Sequence, residues 1–219
     1  MENDHESPIT RILLIRHGET DWNRLHRFQG RSDLPLNQKG RDQACALALE
    51  LKGQSITAIY SSPLSRAVET AGLIRAYHPS VPFFKEEGLL EMDLGEFDGM
   101  EAGHWLVEHA DFLNAWRETP ATVRMPGGEN LEEVQARAIR TLGRIAKLYP
   151  VESTLLLCSH NFVNRTILCH ALKIPLNRFR EVQQETAALN VLYIQKGQFV
   201  PKVVNDRSHL ESFNKNEAG

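Results

Sequence analysis

The chain is poor in the features that would make it a disulfide scaffold, a membrane protein or a nucleic-acid binder. It holds 3 cysteines in 219 residues, Cys45, Cys158 and Cys169, with no C-x-x-C pair. An odd count at that spacing argues against a disulfide framework and fits a reducing compartment. Long apolar runs are missing as well, and none approaches the roughly 20 residues that a spanning helix needs. Neither sign of charge dominates: 25 Lys and Arg stand against 28 Asp and Glu, a net charge of -3. With no basic block, neither nucleic acid nor an anionic membrane surface is an expected partner, and any anion site must be local. Internal repeats and low-complexity segments are absent. The start, MENDHESPIT, is acidic and polar, unlike a secretory signal, so the cytoplasm is the expected location.

What is present suits an ordinary globular protein, 42% hydrophobic and 24% charged. The length fits one domain spanning 1–219, with polar tails at 1–9 and 206–219 expected to fray. Between the tails, strand-like and helix-like segments alternate. RILLI (11–15), ITAIYSS (56–62) and TLLLCSH (154–160) read as buried strands, and PFFKEE as a short edge strand. Helices are expected from Asn37, a cap, to about Lys52, over 65–78, over 101–118, from Asn130, and over the face made by Val163, Ile167, Ala171 and Leu172. ALNVLYI and FVPKVV around Lys196-Gly197 form a hairpin. The alternation predicts an α/β three-layer sandwich, with a mostly parallel central sheet and helices on both faces. Residues 89 to about 129, which begin as a loop without a clean period, are expected to insert as a small cap over one end. The hairpin edge could meet a second copy, but oligomeric state is not legible.

In open α/β sheets, ligands sit outside the carboxyl ends of the strands. Three strand ends carry unusual residues: Arg16-His17, then SSPLSRAVET with Arg66 on its helix, then Ser159-His160-Asn161. If these strands are neighbours, two histidines and two arginines converge. Two guanidiniums suit a phosphate dianion, because they are always charged and bidentate. They also keep a nearby histidine neutral, the form that can attack phosphorus and split one displacement into two. A second histidine can donate to the equatorial oxygens as charge shifts. The leaving alkoxide needs a proton, and Glu91 is the first candidate, with Asp93 and Glu96 behind it. No metal or cofactor is called for, since the arginines do that electrostatic work.

The stretches that carry this chemistry resemble a known family. RHGETDWN is similar to the signature of the histidine phosphatase superfamily, also called phosphoglycerate mutase-like. FQGRSDLPLNQKGRDQA (28–44), YSSPLSRAVETA (60–71), LLEMDLGEFDG (89–99), PGGENLEEVQARA (126–138) and LLCSHNFVNRTIL (156–168) follow in the family's order, so the likeness covers roughly 11–205. The resemblance implies that His17 is the phosphorylated nucleophile, with Arg16, Arg66 and His160 completing the phosphate pocket. It implies that Asn23 reaches the phosphate, that Gln29 and Gly30 line the substrate mouth, and that Glu91 is the proton donor. One departure stands out. The second histidine is usually followed by glycine, and here Asn161 follows it. Asparagine tolerates left-handed backbone, so the turn survives, while its amide bears on substrate preference. Helix capping by Asn161-Phe162 is an equally open reading.

Plainer roles are expected elsewhere. Cys158 and Cys169 sit in apolar patterns and read as core rather than as metal ligands with His160 and His170. His104, Trp105, His109, Phe112 and Trp116 pack a cap helix, or form an aromatic lid over substrate. Asp93 and Glu96 read as structural or solvated carboxylates, and Arg75, Arg137 and Arg140 as helix surface. The short stretch between Gly99 and Gly127 resembles the phosphatase branch rather than the cofactor-dependent mutases. The expected activity is metal-independent hydrolysis of a small phosphorylated metabolite through a phosphohistidine. Mutase-type phosphoryl transfer is the alternative, and a non-catalytic phospho-ligand binder on the same fold stands behind it.

Overall fold

Four consecutive residues, Ile12 to Ile15, are completely buried, which requires a strand covered on both faces. They form the middle of β1 (Thr10–Arg16) in a computed structural model that describes residues 9–101 and 109–211. Because side chains alternate across a strand, Ile12 and Leu14 enter one apolar cluster while Leu13 and Ile15 enter the other. The same split runs through β2 (Ala58–Ser61) and β4 (Thr154–Ser159): Tyr60, Leu155 and Leu157 face one side, Ile59, Leu156 and Cys158 the other. Cys158 and Cys169 are both fully buried, as their apolar settings suggested.

The sheet has the order β3-β2-β4-β1-β5-β6. The first four strands are parallel, with β3 (Phe83–Lys85) a three-residue edge. The hairpin of β5 (Leu189–Gln195) and β6 (Gln198–Asp206) adds antiparallel strands. Its turn, Lys196-Gly197, has φ of 49° and 76°, the left-handed pair that matches strand twist. Helices α2 (Gln38–Leu51) and α3 (Ser65–Arg75) cover one face of the sheet. On the other lie α5 (Leu131–Ala146) and α6 (Asn161–Leu172), with α4 (Ala110–Glu118) beyond them. A four-residue α1 (Asp21–Arg24) follows β1. The α/β sandwich with a mostly parallel sheet is therefore present.

Local chemistry explains the helix starts. Asn37 caps α2 by accepting from Gly40 N–H at 2.8 Å, and Asn130 and Glu133 form a reciprocal capping box at α5. Several expected boundaries shift. The 65–78 helix stops at Arg75. The loop from 89 is less irregular than its sequence suggests, with one 3-10 turn at Glu87–Leu89 and another at Gly95–Phe97. Of the expected 101–118 helix, the last nine residues are helical; His104 and Trp105 lie outside the described residues. The tail expected to fray from 206 instead makes a helical turn over 208–211 that buries His209. Among the described residues, no helix is long and apolar enough to cross a membrane.

Candidate active site

The sheet order places the three unusual strand ends side by side. Arg16 of β1 is in register with Ser159 of β4, and Ser61 of β2 with Cys158. The residues that follow, His17, His160 and Ser62, therefore emerge together at the carboxyl end of the sheet. The His17 and His160 rings lie 5.1 Å apart between centroids, tilted by 60°.

His17 is 3% exposed, and its Nδ1 lies 2.7 Å from the Gly18 carbonyl. A carbonyl only accepts, so Nδ1 carries the proton and Nε2 holds the free lone pair. Burial, then the charges of Arg66 and Arg16, hold the ring well below the usual histidine pKa. The ring is neutral and has one nucleophilic nitrogen. Gly18 is needed here for close approach rather than for a special φ: a Cβ would stand 2.3 Å from the Gly40 carbonyl oxygen.

His160 is fully buried, with Nε2 2.7 Å from Ser62 Oγ. Its Nδ1 has no hydrogen-bond partner among the described residues. Burial and Arg66 push its pKa well down too. Arg16 donates to the Gln184 carbonyl, and burial lowers its pKa to about 10, leaving it charged. Arg66 is fully buried and donates to the carbonyls of Ser32 (2.8 Å) and Gly30 (2.7 Å). The network orients the Gln29 amide with its oxygen toward Arg66, 3.0 Å from Nη1 and 3.2 Å from Nε, and its NH2 toward Thr20. Arg66 therefore fastens the 29–32 loop, and most of its five N–H groups already have protein acceptors.

Glu91 comes from the other side of the pocket. Its carboxylate accepts from Met92 N–H at 2.9 Å and from Phe162 N–H, at the first turn of α6, at 3.2 Å. Those bonds and the arginines favour the charged form, but burial outweighs them and raises its pKa. The backbone beneath it is clamped. Arg137 donates to the Glu91 carbonyl (3.0 Å), to the Gly88 carbonyl (3.0 Å) and to the Glu129 carboxylate (2.9 and 3.0 Å). Glu129 also accepts from Asp93 N–H at 2.9 Å, and Gly128 lets that chain approach, since a Cβ there would stand 2.3 Å from the Asp93 oxygen.

One pocket is lined by Arg16, His17, Asn23, Gln29, Glu91 and Asn161. Asn23 spends its oxygen on Thr20 in a capping box, which leaves its NH2 as the available donor. Arg66, His160 and Gly30 sit behind the pocket rather than on its surface. Gly30 N–H donates to Asp98, and a Cβ there would stand 3.0 Å from both Leu94 and the Met92 oxygen. Two expectations about Asn161 fail. The N-cap of α6 is His160, and Asn161 is already helical with no positive φ, so it neither caps nor needs left-handed backbone. Its Oδ1 is buried without a partner among the described residues. Arg137 is not helix surface, as its position on a polar helix face suggested, because the loop that carries Gly88 and Glu91 folds over it. Asp93 is structural, accepting from Gly95 N–H and pairing with Arg31 at 3.4 Å, and Glu96 is exposed. Phe112 and Trp116 pack, against Phe97 and against Phe162 and Phe179 respectively.

Sequence reasoning missed Arg27, Phe28, Leu94 and Phe162 on the pocket wall, Gln184 behind Arg16, and Ser62 beside His160. Phe28 and Ser62 fall inside stretches already singled out, FQGRSD and YSSPLSR, whereas Gln184 carries no local signal. Among the described residues, no group of three or more His, Cys, Asp or Glu is placed to hold a metal.

Known proteins are similar to this chain along nearly its whole length. Phosphoserine phosphatase 1 of Hydrogenobacter thermophilus is 31% identical over 205 residues, 94% of this chain and 96% of that protein. A probable phosphoglycerate mutase, GpmB of Salmonella choleraesuis, is 30% identical over 210 residues, 93% of this chain and 96% of its own. The solved structure of Bacillus stearothermophilus YhfR superposes with a TM-score of 0.86 at 29% identity, covering 92% of this chain and 99% of that one. The model of the histidine phosphatase superfamily, branch 1, matches residues 12–207. The chain belongs to that superfamily.

Proposed function

We propose that the protein is a phosphomonoesterase that works without a metal, through a phosphohistidine on Nε2 of His17. The observation that carries this is the tautomer of His17: Nδ1 is committed to the Gly18 carbonyl, and the neutral ring faces the pocket with Nε2 free. In the first step, the Nε2 lone pair forms the N–P bond and the ester P–O bond breaks in line. The raised pKa of Glu91 keeps its proton available, and that proton passes to the leaving oxygen. In the second step, water attacks phosphorus, its proton returns to the Glu91 carboxylate, and the N–P bond breaks to release phosphate and neutral His17.

Arg16, the Asn23 NH2 and the buried charge of Arg66 stabilise the equatorial oxygens. Nε2 of His160 is engaged with Ser62 Oγ at 2.7 Å, and in the tautomer that accepts from Ser62 the ring's proton is on Nδ1, the atom without a partner among the described residues. The substrate class follows from size and charge: a small phosphorylated metabolite, bound through its phosphate.

Phosphate release from simple phosphate esters tests the activity, with His17→Ala expected to abolish it while the protein stays folded. Full activity in that variant would overturn the mechanism. Mutase transfer predicts a phosphoenzyme that outlives water attack and is replenished by a bisphosphorylated cofactor. Its measured lifetime with and without that cofactor separates the two reactions.

A further inference from the structure

Behind Arg16 lies a cluster of side-chain amides that the chemistry above does not use. Asn190 of β5 and Asn164 of α6 are fully buried, and Gln184 is 2% exposed. Gln184 and Asn190 form a reciprocal pair: Gln184 Nε2 donates to Asn190 Oδ1 at 2.8 Å, and Asn190 Nδ2 donates back to Gln184 Oε1 at 3.0 Å. Asn164 Nδ2 also donates to Gln184 Oε1 at 3.3 Å, and Asn190 Nδ2 donates to the Leu14 carbonyl of β1 at 3.0 Å. From β6, Asn205 N–H donates to Asn190 Oδ1 at 2.8 Å, while Asn205 Oδ1 accepts from Glu185 N–H at 2.7 Å. Buried amides are destabilising unless paired, and a paired network fixes one geometry.

That geometry holds the 184–188 loop against the end of β1. The Arg16 guanidinium donates to the Gln184 carbonyl, Arg16 N–H donates to the Ala188 carbonyl at 3.1 Å, and Ala187 N–H donates to the His17 carbonyl at 3.0 Å. Ala187 sits at a φ of 57°, a conformation that alanine keeps only where its surroundings over-determine it. We propose that the buried Gln184–Asn190 amide pair is a positioning device for Arg16, setting the angle of its guanidinium to the substrate phosphate through the Gln184 carbonyl. This rests on the hydrolytic function proposed above, which puts the phosphate on Arg16. The neutrality of the amides matters as much as their fit. Among the described residues, the acceptor on the Arg16 guanidinium is an uncharged carbonyl, and its Nε has no partner. A carboxylate in the same place would engage the guanidinium fork bidentately and compete with phosphate. A carbonyl holds one N–H and leaves the charge and the remaining donors to the substrate.

The test is a double-mutant cycle in the full-length protein, Gln184→Met against Arg16→Lys, with p-nitrophenyl phosphate and butyl phosphate as substrates. Methionine fills the space of glutamine but cannot pair with Asn190. Gln184→Met should lower kcat/KM by about tenfold on both esters, because alignment of the phosphate is common to them. A lysine ammonium is a point charge with no plane to orient. Adding Gln184→Met to Arg16→Lys should therefore lower kcat/KM by less than about twofold more. No loss in Gln184→Met, or the same loss in both backgrounds as a purely structural role predicts, would overturn the proposal and leave the phosphatase function standing. Should Gln184→Met fail to fold, Asn205→Gly takes its place, since glycine accepts the left-handed backbone there, φ 56°, and removes the hold on Glu185. Its loss of about threefold should likewise vanish beside Arg16→Lys, and equal losses in the two backgrounds would overturn the proposal. No release from either ester by the wild type would overturn the phosphatase function instead. The same cycle is then read by calorimetry in the affinity for inorganic phosphate. Gln184→Met should weaken binding about fivefold alone and less than about twofold beside Arg16→Lys, and equal losses would overturn the positioning role.

Discussion

The two halves of the pocket are built in different ways. The half that carries His17 grows from the ends of β1, β4 and β2, where strand register alone sets His17, His160 and Ser62 side by side. The half that carries Glu91 comes instead from a stretch with 3-10 turns at Glu87–Leu89 and Gly95–Phe97. Its geometry depends on side chains: Arg137 and Glu129 clamp the backbone of Glu91, and Gly128 permits the contact. In the proposed reaction the sheet-borne half carries the nucleophile, His17, and the clamped loop carries the acid, Glu91. This is the division expected when function is grafted onto a scaffold.

The largest effect should come from the sheet-borne half. His17→Ala is expected to lower kcat by at least about 10³-fold on every ester, because no other group can carry the phosphoryl. Losses that depended on the leaving group would show that His17 has another role.

Glu91→Gln should break the comparison at the loop-borne half and do so selectively. We expect about a 10²-fold loss in kcat on alkyl phosphates, and less than about tenfold on p-nitrophenyl phosphate, whose leaving group needs little protonation. The acid must be protonated to act, so wild-type activity on alkyl esters should fall as pH rises through the raised Glu91 pKa. The glutamine variant should lack that fall. Stability should fall over the same pH range. With the folded pKa above the unfolded one, the folded state binds more protons between the two values, so Glu91 costs stability as pH rises across that window and above it. Glutamine keeps an acceptor for Met92 and Phe162 without the buried charge, and should raise Tm by about 2–4 °C at pH 7. Equal kinetic losses on both esters would remove Glu91 as the acid.

Arg137→Gln tests the clamp. Glu129 and two backbone carbonyls lose a shared donor in a largely buried setting, at a cost of about 3 kcal/mol in unfolding free energy. Kinetically, kcat on alkyl phosphates should drop about tenfold with a smaller change on p-nitrophenyl phosphate, the same split as for Glu91. A purely structural role would lower stability and leave the ratio between the two esters unchanged.

Asn161→Gly should have the smallest effect, within about threefold in kcat. Among the described residues the Asn161 Oδ1 has no hydrogen-bond partner to lose. A larger loss confined to KM would mark it as a substrate contact.

The same contrast explains what was legible in the sequence. RILLI, ITAIYSS and TLLLCSH announce buried strands, and the rule that ligands sit at carboxyl ends turns them into a site without any coordinates. His17, Arg16 and Glu91 could be placed because each sits next to, or at a fixed motif distance from, such an element. Arg137 was misread because an arginine on a polar helix face looks the same whether water or a loop covers it, and only the fold brings Gly88 and Glu91 onto it. Arg66 was expected to hold phosphate directly, whereas the 29–32 loop takes most of its donors. Gln184 acts from the chain's last third on Arg16 at the end of the first strand, a contact that leaves no periodic trace. The apolar wall was split between FQGR, LLEMDLGEF and HNFV, and only folding joins it.

The phosphoryl-enzyme itself gives the most direct test. The protein is mixed with excess aryl phosphate, quenched in base within milliseconds, and the peptides are read by mass spectrometry. The account predicts a phosphoryl group on the peptide carrying His17, stable in base, lost in acid as a phosphoramidate must be, and absent from His17→Ala. Turnover with the label on another residue, or a label that survives acid, would contradict it.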